Sequence, residues 1–197
     1  PPVFTVSALN PSYTENGPAV AVFSSASGNA VESSQTIEGF YLSIADVVDG
    51  SNEVLNIYGE DLPLVERLGI SSAGQPLHFE VTFAGATATV YIGAEDIDPA
   101  DMPAVIDSIT YRNTSENPGT INRIITLVRA LDSGDSNNGG SNSSLINTAS
   151  TVTVNAVNDA PVLASVSAQS TNKNAAKTVT LSGTDVDGDS LTYSATS

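Results

Sequence analysis

The chain has no cysteine, no tryptophan, one methionine and one histidine among its 197 residues. Without cysteine it forms no disulfide and performs no thiolate chemistry, and a single histidine excludes a histidine-based zinc site. No apolar run reaches the roughly 18 residues that a membrane span needs, so we expect no direct membrane insertion.

Basic residues are scarce as well, since six lysines and arginines stand against 22 acidic residues and the formal net charge is −16. A surface this negative repels phosphate backbones and attracts divalent cations, so we expect no nucleic-acid partner. Apolar residues make up 40% of the chain, which is enough for a packed core. Because the sequence opens abruptly on Pro1-Pro2-Val3-Phe4, we expect it to be part of a longer protein.

Short runs of alternating apolar residues, separated by clusters of Gly, Asn, Ser and Asp, predict an all-β sandwich. The clearest runs, residues 77–83 and 86–92, predict a hairpin that turns near Ala84-Gly85. His78 lies between two core positions of the first run, so we expect it to face solvent. Residues 98–107 break the pattern and predict one or two helical turns capped by Asp98.

An internal repeat indicates two domains. Pro2-Val3-Phe4 recurs as Pro161-Val162-Leu163, and the segment 42–50 is echoed by 181–188. We therefore predict a complete β-sandwich repeat over residues 1–158. Residues 159–197 are too few to bury a comparable core, so we expect them to be the truncated, N-terminal part of the next repeat.

Four motifs in order, residues 129–134, 151–154, 157–163 and 185–187, resemble the cadherin-like tandem repeats of giant bacterial surface adhesins, often called RTX adhesins. The resemblance covers essentially the whole chain. It implies an immunoglobulin/cadherin-like β-sandwich, a secreted protein at the bacterial cell surface, and calcium ions held between consecutive repeats.

The same resemblance implies the metal ligands. It assigns the junction between the two repeats to Glu15, Asn158, Asp159, Asp185 and Asp187. It assigns the opposite, upper tip of the first repeat, which would face a preceding repeat, to Asp46, Asp49 and Asp132. The chain departs from the family pattern at Ala156, which replaces an Asp of the linker, and at Lys173, which replaces the counterpart of Glu15. Glu116 is a partial substitute for an Asp-x-Glu motif missing before the strand that begins at Asn122.

For two of these acidic groups, the residue types alone allow a metal site and an alternative to it. Asp185-Val186-Asp187-Gly188-Asp189 offers three carboxylates in five residues, and oxygen ligands of this kind suit calcium. The alternative is a plain Asp-Gly turn between two strands. For the group of Asp46, Asp49, Asp132 and Asp135, the alternative is a solvated acidic tip.

No Ser-His-Asp arrangement, phosphate-binding loop or nucleophile elbow is present, so we do not expect an enzyme. We predict a calcium-binding structural repeat of an adhesin, with neighbouring repeats of the same chain as partners and with a cell-surface or matrix ligand. The alternative is a calcium-dependent sugar- or peptide-binding module that uses the polar loop 133–144. A carbohydrate-active enzyme is a third class, but the aromatic platform expected of it would have to lack tryptophan.

Overall fold

The structure, a computed structural model, describes residues 1–29, 35–70, 77–93, 100–134 and 141–196. The chain divides into two compact units, Pro1–Ala156 and Val157–Ser197. The boundary expected from the internal repeat, after Asn158, lies two residues from this division.

The first unit is built almost entirely from strands. Its one α-helix in the described ranges is α1 (Met102–Asp107), and a 3₁₀ turn covers Gly50–Asn52. The strands are β1 (Val3–Ala8), β2 (Ser12–Thr14), β3 (Val20–Ala21), β4 (Phe23–Asn29), β5 (Ile37–Ala45), β6 (Glu53–Ile57), β7 (Glu60–Pro63), β8 (Arg67–Ile70), β9 (His78–Ala84), β10 (Thr87–Gly93), β11 (Thr110–Asn113), β12 (Arg123–Asp132) and β13 (Ser143–Asn155).

In the described part of the chain these strands form two main sheets. One sheet has the order β2-β13-β12-β5-β10-β9-β8, and the other has the order β3-β11-β6-β7, while β1 and β4 pair as a separate antiparallel ribbon. Neighbouring strands are antiparallel except for β2 and β13, which are parallel. The predicted all-β sandwich is therefore confirmed.

The core follows from the alternation of apolar and polar residues along the strands. On β5 the residues Phe40, Leu42 and Ile44 are fully buried, and the residues between them are more exposed. β10 alternates in the same way, whereas in β12 a bulge between Leu127 and Arg129 shifts the pattern, so that Ala130 is the next buried apolar residue after Leu127. The second sheet contributes Leu55, Ile57 and Tyr111 to the same cluster. Removing each such side chain from water stabilises the fold by about 1.5–3 kcal/mol.

The β9–β10 hairpin forms where the alternation predicts it. Ala84 pairs with Thr87 across a two-residue turn, and Gly85 there has φ +63°, a conformation that glycine adopts without strain. Leu77 and Phe79 are buried and His78 between them is only half-buried, in agreement with its expected outward orientation.

The short helix also lies within its predicted segment. α1 begins after Asp101, at its N-cap position, and buries Met102, Val105 and Ile106 against the core. The Asp107 carboxylate accepts a hydrogen bond from the N–H of Ala26 in β4 at 2.9 Å, which holds the helix against that strand. The proposed cap Asp98 lies outside the described residues.

Strand directions define two ends of the first unit. Ala45 pairs with Ile124, and Asn155 pairs with Thr14, so the end of β5, the start of β12 and the end of β13 lie at one end, which we call the linker end. Ile37 pairs with Asp132 at the other end, which we call the far end.

The second unit contains one small antiparallel pair, β14 (Val162–Leu163) and β15 (Gly183–Thr184). None of its described residues is buried, so this part of the chain has no hydrophobic core of its own. Across both units, the described residues include no helix that is long and apolar enough to cross a membrane.

Candidate metal centre

Three predicted ligands of the second unit lie together. The backbone N–H of Asp159 donates a hydrogen bond to Oδ2 of Asp187 at 2.7 Å. The N–H of Asp187 in turn donates to Oδ1 of Asp185 at 3.0 Å. These contacts place the Asp187 carboxylate next to the backbone of Asp159, and the Asp185 carboxylate next to the backbone of Asp187.

The local fold explains this arrangement. Val162 pairs with Thr184, so Asp159, three residues before the first strand, meets Asp187, three residues after the second. Gly188 has φ +78° and its N–H contacts the carbonyl oxygen of Asp185 at 3.3 Å, which closes the turn. The loop is therefore an Asp-Gly turn in which carboxylate oxygens of Asp185 and Asp187 accept backbone hydrogen bonds, and the metal-binding interpretation stays a prediction.

Asp159 carries the strongest sign that a cation belongs here. Its Oδ2 is shielded from solvent and has no hydrogen-bond partner among the described residues. A buried carboxylate oxygen without a donor costs free energy, and a bound cation would remove that cost. The carboxylate and carbonyl oxygens of this loop are the ligand type that calcium prefers. The neighbouring Asn158 is exposed and donates from Nδ2 to the carbonyl oxygen of Asp159 at 3.0 Å.

A second pair of carboxylates lies at the linker end of the first unit. Glu15 is only 4% exposed and directly follows β2, where its N–H donates to the carbonyl oxygen of Asn155 at 2.9 Å. A carboxylate oxygen of Glu15 lies within 4.8 Å of one of Glu116. Asn16 holds Glu116 in place by donating from Nδ2 to Oε2 at 3.0 Å. Two carboxylates this close repel each other, and a cation bound between them would remove that repulsion.

The predicted group of Asp46, Asp49 and Asp132 does not form. Asp46 directly follows β5 at the linker end, whereas Asp132 ends β12 at the far end. The eight steps along β12 from Ile124 to Asp132 separate the two ends by about 26 Å at 3.3 Å per residue. Both the grouping and the assignment of Asp46 and Asp49 to the tip away from the linker are therefore wrong, because β5 and β12 run antiparallel.

Asp49 instead holds loops together at the linker end. Its Oδ2 accepts hydrogen bonds from Arg123 Nη2 at 2.9 Å, from Asn113 Nδ2 at 2.7 Å and from the N–H of Gly119 at 3.0 Å. Three donors bind this oxygen, so Asp49 is a structural counter-ion that joins these loops.

Asp132 has a separate structural role. It is fully buried, and its Oδ1 accepts a hydrogen bond from the N–H of Gly134 at 3.0 Å, which begins the turn after β12. Asp135 and the rest of residues 135–140 of the polar loop lie outside the described residues. The end of that predicted loop, Ser143 and Ser144, belongs to β13.

A buried charge network at the linker end was not predicted. Arg123 and Glu53 are both fully buried, and Arg123 Nε donates to Glu53 Oε2 at 2.7 Å. The same oxygen accepts from the Tyr111 hydroxyl at 3.0 Å, while Oε1 accepts from the N–H groups of Val48 and Asp49 at 2.8 and 2.9 Å. Arg123 also donates to the carbonyl oxygen of Gly119 at 3.1 Å and to that of Ile121.

The network shifts the pKa values of its members. Burial alone would lower the pKa of the Arg123 guanidinium, but the hydrogen bond and charge of Glu53, with smaller effects of Tyr111 and Asp49, outweigh burial and raise that pKa. Burial first, and then the Glu53 carboxylate, raise the pKa of the Tyr111 phenol. The alternation along β12 could have predicted the burial of Arg123, because Arg123 lies on the same face of the strand as the buried Ile125.

Comparisons with known proteins add no relative. No protein-family model matches the chain, no curated protein is similar to it, and no solved structure matches it. We therefore infer chemistry from the residues of the chain itself.

Proposed function

We propose that this chain is a calcium-binding structural repeat of a secreted bacterial surface adhesin of the cadherin-like kind. Two observations support the proposal: the backbone hydrogen bonds that link Asp159, Asp187 and Asp185 in one acidic loop, and the Oδ2 of Asp159, which is shielded from solvent without a hydrogen-bond partner among the described residues. The β-sandwich of the first unit supplies a rigid body, and the acidic loop follows it in the chain.

Calcium would act on this loop through charge. Two carboxylates 4 Å apart repel by about 1 kcal/mol in water and by about 4 kcal/mol at an effective dielectric constant of 20. A divalent cation reverses this repulsion and accepts oxygens from several directions, with water completing a shell of about six to eight ligands. Binding would therefore order residues that have no hydrophobic core to hold them.

The expected calcium affinity determines in which compartment the site is occupied. Extracellular calcium modules bind with dissociation constants of about 10⁻⁴ to 10⁻³ M, so such a site fills outside the cell and stays empty in the cytosol. At free calcium 100 times the dissociation constant, one site stabilises the bound form by about 2.7 kcal/mol. The ordered repeat would serve as one link of an extension that joins neighbouring repeats and presents a cell-surface or matrix ligand-binding domain.

Isothermal titration with calcium tests the proposal on the full chain. We expect at least one site in the range about 10⁻⁴ to 10⁻³ M. Asp187→Asn should weaken it at least tenfold, because the substitution removes one charged ligand. Asp101→Asn is the matched control, since Asp101 is exposed and makes no side-chain capping bond.

Equal calcium binding by the wild type and Asp187→Asn would contradict the assignment of this loop. The variant Glu15→Gln distinguishes the two candidate sites, because it changes the Glu15 and Glu116 pair and leaves the loop of Asp185 and Asp187 intact. If Glu15→Gln alone removes binding, the metal site lies at the Glu15 and Glu116 pair.

A further inference from the structure

The solvent-facing side of the larger sheet carries an ordered row of side chains, one from each of six neighbouring strands. Directly paired residues of neighbouring strands point to the same face of a sheet. The pairs Leu145 with Arg129, Arg129 with Tyr41, Tyr41 with Tyr91, Tyr91 with Glu80 and Glu80 with Leu68 are all in direct register. We call these six residues the tyrosine row.

The centre of the row is fixed before any partner arrives. The rings of Tyr41 and Tyr91 have centroids 4.9 Å apart, and the guanidinium carbon of Arg129 lies 4.3 Å from the Tyr41 centroid. A Cβ on Gly93 would lie 3.2 Å from Cε1 of Tyr91 and 3.3 Å from its hydroxyl oxygen, so this ring lies over the glycine. Ordered aromatic side chains of this kind lose little conformational entropy on binding.

The ends of the row are unusually exposed for apolar residues. Leu68 is 84% exposed and Leu145 is 73% exposed, and each lies beside a charged residue of the row. Tyrosine and arginine are enriched in protein interfaces, and the centres of interfaces are poor in charge. The row therefore has the residue types that are typical of a protein–protein interface, with two tyrosines at its centre.

The order of the row is complementary to itself. It reads apolar, positive, tyrosine, tyrosine, negative, apolar from Leu145 to Leu68. A two-fold axis between two facing sheets, parallel to the strands and midway between Tyr41 and Tyr91, places Arg129 opposite Glu80 of the second copy. The same axis places Leu145 opposite Leu68 of the second copy. A two-fold interface requires this self-complementarity.

We propose that the tyrosine row is a homodimer interface, in which two copies of the chain pack these sheet faces together with Arg129 against Glu80 of the second copy. Five steps between strands of about 4.8 Å make the row about 24 Å long. An interface of this extent belongs to the small, transient class. The net charge of −16 also opposes association, so we expect a dissociation constant on the order of 10⁻⁵ M or weaker.

Charge exchange tests both the dimer and its register. Sedimentation velocity of the full chain from about 1 to 500 μM should show a sedimentation coefficient that rises with concentration, as expected of a monomer–dimer equilibrium with that dissociation constant. Arg129→Glu alone and Glu80→Arg alone should each shift the midpoint at least tenfold toward monomer, because like charges then face each other. An equimolar mixture of the two variants should associate again, since both charge pairs are opposite in the mixed dimer. The double variant Arg129→Glu/Glu80→Arg should recover association for the same reason.

Matched controls separate this interface from general charge effects. Glu66→Gln alters an exposed acidic residue outside the row and should leave the midpoint unchanged, whereas Tyr91→Ala should abolish the dimer. A chain that stays monomeric to 500 μM overturns the proposal, and so does failure of the mixture to associate when each variant melts like the wild type. A sugar-array signal lost in Tyr91→Ala without self-association would assign the face to a saccharide and would also overturn it.

Discussion

Glu53→Gln is the sharpest test of how the linker end is held together. Glu53 is fully buried and accepts four hydrogen bonds, two from backbone N–H groups through Oε1 and two from Arg123 and Tyr111 through Oε2. Glutamine keeps one oxygen and replaces the other with an NH₂ group. Whichever way the amide turns, its NH₂ group faces donors, and Arg123 loses its fully buried counter-ion.

The size of the effect follows from the burial of the ion pair. Removing one partner of a buried pair destabilises a protein by about 3–5 kcal/mol, because the remaining charge is left in a low-dielectric interior. For a unit of this size, each kcal/mol corresponds to about 2–4 °C, so the melting temperature should fall by roughly 6–20 °C. Asp49 stays as a second counter-ion at 2.9 Å, which favours the lower part of that range.

Urea unfolding followed by far-ultraviolet circular dichroism gives the free energy directly. The matched control is Glu66→Gln, which makes the same chemical change at an exposed position and should stay within about 0.5 kcal/mol of the wild type. A loss below about 1 kcal/mol for Glu53→Gln, at unchanged m-value, would refute the inference that this network holds the linker end.

Two further predictions concern the same unit. Because burial and Glu53 raise the pKa of Tyr111, the folded protein keeps a proton that the unfolded chain loses near pH 10, so the stability present below pH 10 should fall above it. Deprotonation of this one group in the unfolded chain should lower the free energy of unfolding by about 1.4 kcal/mol in total between pH 9 and 11, measured by urea unfolding, and Tyr111→Phe should lack that component. A Cβ on Gly39 would lie 2.2 Å from the carbonyl oxygen of Ile92, so Gly39→Ala should cost about 1–3 kcal/mol, whereas Gly69→Ala, which meets only a flexible arginine, should cost far less. Equal thermal melting of the two alanine variants would count against the described strand packing.

Alternation predicted the β9–β10 hairpin well, because the inward residues of these two strands are apolar without interruption. It did not predict β7 or β8, and each of these lies at one edge of a main sheet. β7 has the sequence Glu-Asp-Leu-Pro and β8 has Arg-Leu-Gly-Ile, and charged residues, glycine and proline weaken the strand signal. Edge strands tolerate these residues because one side of the backbone needs no strand partner.

The candidate site was predictable only where its geometry is local. Asp185 and Asp187 share a turn, and the short pairing of β14 with β15 brings Asp159 to them. The tip assigned to Asp46 depended on strand direction over the whole sandwich, which the local sequence does not contain. The burial of Glu53 was not predicted, because a charged residue in a strand is ordinarily exposed. Its ion pair with Arg123 offsets the free-energy cost of removing its charge from water.

Hydrogen exchange of the full chain in millimolar calcium and in a chelator tests the central claim most directly. If calcium binds the acidic loop with an extracellular affinity, amides near Asp159 and Asp187 should exchange about 10 to 100 times more slowly in 10 mM calcium. The amides of β5 and β12 should be unaffected, and Asp185→Asn/Asp187→Asn should abolish the difference. Identical exchange of residues 157–196 with and without calcium would contradict the account.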